Sequence, residues 1–471
     1  MGIIRNFRQN KSQDQGPATM RKRILVVAPN NWSLEALKKY ADQYDFIYIE
    51  DKFQEDGLSF FYWLRIILGL NFLKGVKKLV RLAKYHRADG ILGADDFISC
   101  LYASRACKEL GLPGAKTELE LVFQHKYYSR VLQKKIVPDY IPHFQLLNFK
   151  KPPEYPFFAK PIRGAASIMA KRIHSDEEFK AYQKMPFLKL FTFHRLVSLF
   201  QNLAFKIAGV EPVKEMAVAE EIIEGNQCTL EGVVFRGKNY TLGITDSVMY
   251  PHSKLSFARF NFPSQLSQDI QTKMATIAEK LILESGFDFG FYNIEFFYNP
   301  ITDEIKIIEV NPRMAFQFTD LYEKVLGVNT FELLLKMTAG EDISNTLQNI
   351  SFKGRYKKAT SFVLRTFQDA KVLSHPSDDQ IKNYLSKVKD TRALIQAKSG
   401  DKLSDDIFQD VESFRLMTLN VGGDTEEELS AKYELGLKML PFSLQPLQSI
   451  TPESTAKKKT LMQKIFYTEA R

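Results

Sequence analysis

The chain contains little cysteine: only Cys100, Cys107 and Cys228 among 471 residues, with no Cys-x-x-Cys pair. Such sparse and irregular spacing argues against a disulfide framework and against a structural zinc site. Reduced thiols are typical of the cytoplasm, so the sequence predicts a cytoplasmic protein. The basic stretch at 5–11 is followed by polar residues, which argues against a secretory signal peptide.

Long apolar runs and a dinucleotide fingerprint are also lacking. Two segments, 58–84 and 186–210, are basic and contain no acidic residue, yet neither has the ~20 uninterrupted apolar residues that a membrane-spanning helix needs. Each predicts a core-facing helix with a basic outer face, and peripheral contact with an anionic membrane is the alternative. No Gly-x-Gly-x-x-Gly motif follows the first strand, which argues against a dinucleotide site.

The composition is basic but ordinary for a folded protein. The formal net charge is +10, and 45% of the residues are hydrophobic, which predicts a globular chain. Much of the basic excess lies in polar end segments, at 5–23 and 457–471, and such segments are typical of solvated tails. No helix-turn-helix, zinc-finger or RNA-recognition signature accompanies them, so a nucleic-acid partner is not predicted.

The first hundred residues alternate between strand and helix patterns. Buried-type strands are predicted at 23–28, 46–49 and 88–93. Ser33 is a candidate N-cap for the first helix, and an amphipathic helix is predicted from Asp96 to Leu110. This alternation predicts a parallel α/β unit.

Most of the remaining chain reads as strands around one long helix. Residues 115–146 are predicted to be helical and then extended, and 355–442 have strands of their own. Thr425 to Glu428 forms a Thr-x-x-Glu capping box that opens a helix ending near Leu440. The other predicted strands span 155–162, 167–173, 216–223, 228–235 and 240–249, and the long helix spans about 265–286.

The most informative stretch is a pair of apolar strands that carry acidic residues. Glu295 lies in one strand, and Glu309 and Asn311 lie in the next, after a turn at 299–303. Glu309 and Asn311 point the same way because side chains alternate along a strand. If the neighbouring strand brings Glu295 beside them, three hard oxygen donors converge and suit Mg²⁺. Arg313 adds a fixed cation for an anionic substrate or a phosphate.

Upstream residues add positive charge. Lys160 ends a strand just before the small-residue loop 164–167, an arrangement that can lay backbone N–H groups over phosphates. Lys126 begins a helix, and Arg130 follows one turn later. Alone, Lys160 followed by a small-residue loop is also typical of a plain hairpin, and Lys126 with Arg130 is also typical of a surface helix.

Together, and in this order, the elements resemble the ATP-grasp superfamily. The likeness covers about residues 23–340, and 355–442 look like the C-terminal lid of the amino-acid-ligase and biotin-carboxylase branches. The matching elements are Lys126 with Arg130, Lys160-Pro161 with 164–167, the segment 219–225, and Asn293-Ile294-Glu295 with 309–313.

The resemblance implies a multidomain fold of α/β and α+β parts. It would contain an N-terminal parallel α/β (pre-ATP-grasp) domain, a two-lobed ATP-grasp domain and a small α+β lid domain. The implied boundaries are a basic flexible tail at 1–22, the first domain at 23–115, the ATP-grasp domain at 116–345 with a small lobe at about 140–220 and an insert at about 186–210, the lid at 355–445 and a basic tail at 446–471.

The resemblance also implies a role for each matching residue. Lys126 and Lys160 would contact ATP phosphates, and Lys160 and Arg313 would act on the transferred phosphoryl group. The flexible loop over the phosphates would consist of Gly164, Ala165, Ala166 and Ser167. The adenine-reading linker would contain Glu220, Glu221 and Ile223, with Gln227 near the ribose. The ligands of Mg²⁺, or of Mn²⁺, would be Glu295, Glu309 and Asn311.

Several positions depart from the family pattern. Gln227 stands where members often have an acid, and the phosphate loop has one glycine rather than several. The segment after Arg313, Met314 to Phe318, does not resemble the bicarbonate-binding segment of biotin carboxylases. About 25 residues, 186–210, look inserted before the linker strand.

The implied activity is an ATP- and Mg²⁺-dependent ligase. It would activate a carboxylate as an acyl phosphate and join it to an amine, with C–S and C–C bond formation as alternatives. Biotin-carboxylase-like carboxylation and a non-catalytic scaffold at a membrane surface are the competing interpretations. Small-molecule carboxylates and amines are the expected partners, and the sequence leaves open whether the protein forms a homodimer.

Overall fold

The computed structural model describes residues 4–5, 21–29, 31–49, 72–93, 98–164, 169–183, 187–253, 255–405 and 413–447. The chain divides into two compact units. The first consists of Met1–Val248 with Phe260–Ala359, and the second of Met249–Arg259 with Thr360–Arg471. This division does not test the functional domains that the sequence predicts, so those boundaries stay predictions.

The first unit begins with a small, mostly parallel sheet. Its elements are β1 (Ile4–Arg5), β2 (Lys22–Val27), α1 (Asn31–Lys38), β3 (Tyr44–Ile49), α2 (Phe72–His86), β4 (Gly90–Gly93) and α3 (Ser99–Leu110). The strand order is β1-β3-β2-β4, and β2 pairs in parallel with β3 and β4, as the alternation predicts. The short strand β1 pairs antiparallel with β3, within the segment for which the sequence predicts a flexible tail.

Two details of the predicted helices are wrong. Ser33 is not an N-cap, because α1 already begins at Asn31 and the Ser33 side chain is buried in its first turn. Helix α3 begins at Ser99; Asp96, the predicted start, lies outside the described residues. Its end is as expected: Gly111 has φ 66°, a left-handed conformation that glycine adopts without strain.

The described part of the basic segment 58–84 is a core-facing helix. Four apolar residues of α2 are buried, and the ring of Phe72 stacks on that of Tyr102 in α3 at 4.7 Å between centroids. Gly75 lets the helices approach, since a Cβ there would lie 2.5 Å from the Tyr102 ring. The apolar face of α2 therefore packs inside the protein, which gives no support to membrane contact.

The next elements form a four-stranded antiparallel sheet flanked by helices. Its strand order is β5-β8-β6-β7, and every pairing is antiparallel. The elements are α4 (Thr117–Gln124), α5 (Lys126–Ile136), β5 (Phe144–Leu146), β6 (Phe157–Pro161), β7 (Lys171–Ile173), α6 (Asp176–Gln183), α7 (Phe187–Ala208) and β8 (Ala217–Glu220).

The segment predicted as an insert forms the 22-residue helix α7. Phe200 and Ala204 of this helix are buried in one core with Leu121 of α4 and residues of α2 and α3. Helix α7 thus uses an apolar face for internal packing. Within the described residues, no helix is long and apolar enough to cross a membrane.

The largest part of the first unit is an antiparallel sheet covered on one face by a helix. The strand order includes β13-β12-β9-β10, and β12 pairs antiparallel with both β9 and β13. Leu230, Ile294 and Val310 pack with the covering helix α8. Polar side chains occupy only part of the other face, where Val233 and Phe291 belong to a second hydrophobic core. The elements are β9 (Asn226–Phe235), β10 (Lys238–Met249), β11 (Phe257–Phe262), α8 (Gln268–Glu284), β12 (Gly290–Asn299), β13 (Glu304–Asn311), α9 (Thr319–Leu326), α10 (Thr330–Thr338) and α11 (Ser344–Gln348).

The second unit mixes strands and helices. Strand β17 lies between β14 and β16, and β15 pairs with β18. The predicted capping box is only half formed. Thr425 accepts a hydrogen bond from the Glu428 backbone, but the Glu428 carboxylate accepts from Asp424 N instead of from the cap residue. The elements are β14 (Lys358–Thr366), β15 (Ala370–Ser374), α12 (Asp378–Lys387), β16 (Arg392–Ile395), β17 (Phe414–Gly423), α13 (Glu426–Met439) and β18 (Ser443–Pro446).

Candidate active site

The register of β12 and β13 brings the acidic residues together. Glu295 is the direct partner of Glu309, and Asn293 is the partner of Asn311. Since side chains two residues apart share a face, all four lie on the polar face of the sheet. A β-bulge follows Glu295, so the register shifts just beyond the site.

The two carboxylates influence each other strongly. Burial, followed by repulsion from Glu309, raises the pKa of Glu295 above its ordinary value. Gln227, from neighbouring strand β9, donates a 2.9 Å hydrogen bond from Nε2 to Glu295 Oε2. Gln227 therefore contacts a candidate metal ligand, while its contact with the ribose stays a prediction.

Lys126 provides the nearest positive charge. Its ammonium lies 2.5 Å from Glu309 Oε2. Burial acts to raise the pKa of Glu309, but the charge and hydrogen bond of Lys126 outweigh it and hold that pKa below its ordinary value. The backbone N–H of Lys126 donates to Ile162 O, which ties the start of α5 to the end of β6.

His125 caps helix α5 just before Lys126. Its Nδ1 accepts a 3.3 Å hydrogen bond from the Tyr128 backbone. Burial lowers the pKa of His125 to about 4, so the ring is neutral at pH 7 and Nδ1 keeps its lone pair for the cap. Phe200 of α7 stacks on this ring at 5.8 Å between centroids. Helix α7 therefore packs directly against the residue that caps α5.

A buried ionic triad joins α5, β6 and β8. Glu220 accepts hydrogen bonds from Arg130 Nε and Nη2 at 2.8 and 3.1 Å, and it pairs with Lys160 Nζ at 2.7 Å. Both cations also donate to the backbone carbonyl of Ile308, next to Glu309. The triad thus links the small sheet to the strand that carries the acidic residues.

The titration of the triad follows from burial and charge. Burial opposes ionisation of Glu220, but Arg130 and Lys160 overcome it and lower its pKa to about 2. Burial lowers the pKa of Lys160 to about 8, despite the attraction of Glu220. The Glu220 carboxylate therefore forms ion pairs with Arg130 and Lys160, and the sequence did not indicate this pairing.

The predicted adenine linker follows β8. Glu221 exchanges backbone and side-chain hydrogen bonds with His143, and Ile223 is half-buried in the loop. Gly225 ends the loop at φ 137°, where a Cβ would lie 2.4 Å from the carbonyl oxygen of Tyr298. Gly164, at the start of the predicted phosphate loop, is half-buried, whereas Ala165, Ala166 and Ser167 lie outside the described residues.

Arg313 lies in a backbone segment that neighbouring strands hold in place. Asn293 Nδ2 donates a 2.9 Å hydrogen bond to Arg313 O, and Asn293 Oδ1 accepts from Asn311 Nδ2 at 3.1 Å. Glu231 of β9 accepts from Ala315 N at 2.9 Å. Sequence reasoning did not identify Asn293 or Glu231 as site residues, although each is a polar residue on the polar face of an apolar strand.

The donor set fits Mg²⁺ by its chemistry. Burial and then repulsion from Glu309 raise the pKa of Glu295, and a divalent cation would relieve that repulsion. The donors are oxygens only, which Mg²⁺ prefers. Within the described residues, no group of three or more histidines, cysteines, aspartates or glutamates could hold a metal. The amide oxygen of Asn311 would be the third donor beside the two carboxylates.

Comparison with known proteins finds one matching family model. The family model of the carbamoyl-phosphate synthase L chain, ATP-binding domain, matches residues 260–346, which include both acidic strands. No curated protein matches the sequence.

Solved structures of similar fold cover nearly the whole chain. An L-amino acid ligase from Bacillus licheniformis has a TM-score of 0.67 at 14% identity, over 91% of this chain and 100% of that one. Phosphoribosylglycinamide synthetase from Anaerococcus prevotii has a TM-score of 0.59 at 15% identity, over 90% and 100%. The biotin carboxylase domain of a Hydrogenobacter thermophilus carboxylase has a TM-score of 0.59 at 16% identity, over 91% and 92%.

These likenesses show the fold of the protein. At such low identity the solved structures show the fold, and the family model adds a match in sequence across the acidic strands. The chain therefore has the ATP-grasp fold, as the ordered motifs imply, and its residues 260–346 match an ATP-binding domain of that superfamily. ATP binding with a magnesium dependence is typical of that superfamily.

Proposed function

We propose that the protein is an ATP- and Mg²⁺-dependent ligase that activates a carboxylate as an acyl phosphate and joins it to an amine. One observation carries the proposal: Lys126, Arg130 and Lys160 converge on β13 at Ile308 and Glu309, beside Glu295. Cations and carboxylates gathered at one place suit a nucleotide held with its metal ion. The fold shared with an L-amino acid ligase over that protein's full length supports the choice of an amine acceptor.

Glu295, Glu309 and Asn311 would hold the metal ion. When bound, Mg²⁺ would neutralise phosphate charge and help to align the γ-phosphate. Lys126 would exchange its contact with Glu309 for one with a phosphate. Arg130 would keep Glu220 ionised, so that Glu220 in turn holds Lys160 beside the phosphates. Glu221 and Ile223 would lie along the adenine.

The chemistry itself needs little from the side chains. A carboxylate oxygen of the substrate would attack the γ-phosphorus and release ADP, and the amine nitrogen would then attack the acyl carbon, releasing phosphate and a proton. Arg313 would orient the anionic groups at both steps. Alignment and neutralisation of charge, rather than a protein nucleophile, would supply most of the rate acceleration.

The test is a screen of carboxylate and amine pairs for ADP release with Mg²⁺. A productive pair should release ADP only when both substrates are present, and Glu309→Ala should abolish this release. Glu304→Ala, exposed on the same strand, serves as the control and should retain activity. Unchanged turnover in Glu309→Ala would refute the metal assignment.

Two further results would overturn the proposed reaction. Failure of calorimetry to detect ATP binding in the presence of Mg²⁺ would favour a non-catalytic scaffold. ATP hydrolysis that depends on bicarbonate and is stimulated by biotin would favour a carboxylase, in line with the biotin carboxylase of similar fold.

A further inference from the structure

Asn293 lies on β12 beside two residues of the proposed site. Its Cα pairs with that of Asn311 across the sheet, and Glu295 follows two residues later on the same face. The Asn293 side chain is 3% exposed, so its amide must find partners inside the protein. It finds two: Nδ2 donates to Arg313 O at 2.9 Å, and Oδ1 accepts from Asn311 Nδ2 at 3.1 Å.

The direction of both hydrogen bonds follows from chemistry. A backbone carbonyl can only accept, so the atom of Asn293 that faces Arg313 O must be the NH₂ group. The other side of the same amide is then its oxygen, which can only accept, so Asn311 must present its own NH₂ group. This leaves Asn311 Oδ1, and not Nδ2, as the atom available to ligate a cation.

We propose that Asn293 is a positioning residue, which orients the Asn311 amide so that its oxygen serves as a metal ligand. The inference rests on the proposed Mg²⁺ site and adds a residue that itself touches neither metal nor nucleotide. Such supporting hydrogen bonds commonly hold a ligand in the one orientation that binds.

The probe is Mn²⁺ together with a non-hydrolysable ATP analogue, and the readout is the electron paramagnetic resonance signal of free Mn²⁺. Asn293→Ala removes both hydrogen bonds and lets the Asn311 amide turn over. We expect the affinity for Mn²⁺ to fall by about tenfold or more. No knowledge of the carboxylate or amine substrate is needed.

Repeating the substitution in Asn311→Asp protein separates loss of amide orientation from damage to the fold. Asn311→Asp replaces the amide by a carboxylate, whose two oxygens are equivalent and need no orientation. In Asn311→Asp protein, adding Asn293→Ala should change the Mn²⁺ affinity by no more than about twofold. A general structural defect would lower the affinity in both backgrounds alike, and that result would overturn the inference.

Circular dichroism and thermal unfolding identify variants that fold. If Asn293→Ala does not fold, Asn293→Val, whose branched side chain suits a strand, is compared in the same two backgrounds. If the wild type binds Mn²⁺ and Asn293→Ala or Asn293→Val binds it with the same affinity, the inference is overturned but the proposed function is not. Absence of Mn²⁺ binding in the wild type, with and without the analogue, would overturn both.

Discussion

The ammonium of Lys126 lies 2.5 Å from Oε2 of Glu309 and forms an ion pair between the first residue of α5 and the centre of the candidate metal site. The two residues are separated by 183 positions in sequence. In this pair, a lysine that we expect to bind phosphate contacts a carboxylate that we expect to bind Mg²⁺. Binding of a nucleotide with its metal ion would therefore require Lys126 to change partners.

Lys126→Met should separate nucleotide binding from metal binding. Loss of a charge-assisted phosphate contact, worth about 1.5–3 kcal/mol, should weaken binding of an ATP analogue by roughly tenfold or more. The affinity for Mn²⁺ without nucleotide should rise, because no ammonium competes for Glu309. Calorimetry and Mn²⁺ resonance titrations measure the two effects. Lys135→Met, exposed on the same helix, is the control, and equal behaviour of both variants would remove Lys126 from the site.

Glu220→Ala should destabilise the protein severely. It leaves the buried cations Arg130 and Lys160 without their carboxylate, and breaking such a buried pair costs about 3–5 kcal/mol. Urea unfolding at pH 7 measures the loss. Glu221→Ala, exposed and adjacent, should cost about 1 kcal/mol or less, since it removes one hydrogen bond to a backbone N–H.

Acid titration offers a second check on the triad. The folded-state pKa of Glu220, about 2, lies below the ordinary value of 4.5, so its contribution to stability is complete above pH 4.5 and is lost as the pH falls towards 2. The stability of Glu220→Ala should accordingly decline less between pH 4.5 and pH 2 than that of the wild type. Parallel curves would contradict the ion-pair assignment.

Glu231 should make the protein less stable as the pH rises. Burial, only partly offset by the Ala315 hydrogen bond and by Arg313, raises the pKa of this carboxyl from 4.5 to about 8. The group therefore contributes stability in full below pH 4.5 and loses it as the pH rises towards 8. Glu231→Gln, which cannot ionise, should remove a slope of about 1.4 kcal/mol per pH unit between pH 5.5 and 7.5. Denaturant unfolding at several pH values tests this, and an unchanged slope would show that Glu231 is ionised in the folded protein.

Helix α7 should contribute to stability through Phe200. This ring is 1% exposed and packs on His125, so Phe200→Ala should cost about 3–5 kcal/mol in unfolding free energy. Phe205 on the same helix is 45% exposed, and Phe205→Ala should change stability by about 0.5 kcal/mol or less. Similar values for the two variants would mean that α7 is not held by its buried face.

Much of the fold could be predicted from local patterns. The buried strands of the first sheet have apolar runs, and β2 pairs with β3 and β4 in parallel because helical segments separate them. Errors occur where local signals compete. Ser33 is a good cap residue, yet the helix starts two positions earlier, and Glu428 completes its hydrogen bond one residue before the expected partner. Helix ends depend on tertiary packing that short motifs do not contain.

The candidate site was only partly accessible to sequence reasoning. The period of a strand places Glu309 and Asn311 on one face, and it does the same for Asn293 and Glu295. It does not say which strand lies next to which, or in what register. The contact of Gln227 with Glu295 depends on β9 being the neighbour of β12, which the order of elements along the chain does not indicate.

The amino-acid sequence by itself indicated the fold of this protein, through an ordered set of lysines, a linker and two acidic strands whose residue types suit nucleotide chemistry. Only the tertiary structure decided how these groups are paired. Lys126 with Glu309 and Lys160 with Glu220 are contacts between residues far apart in the chain, and Asn311 with Asn293 is a contact set by the register of two paired strands. Such contacts arise because a buried charge or amide must find a partner of the right kind, and the packing of distant strands determines which partner is within reach.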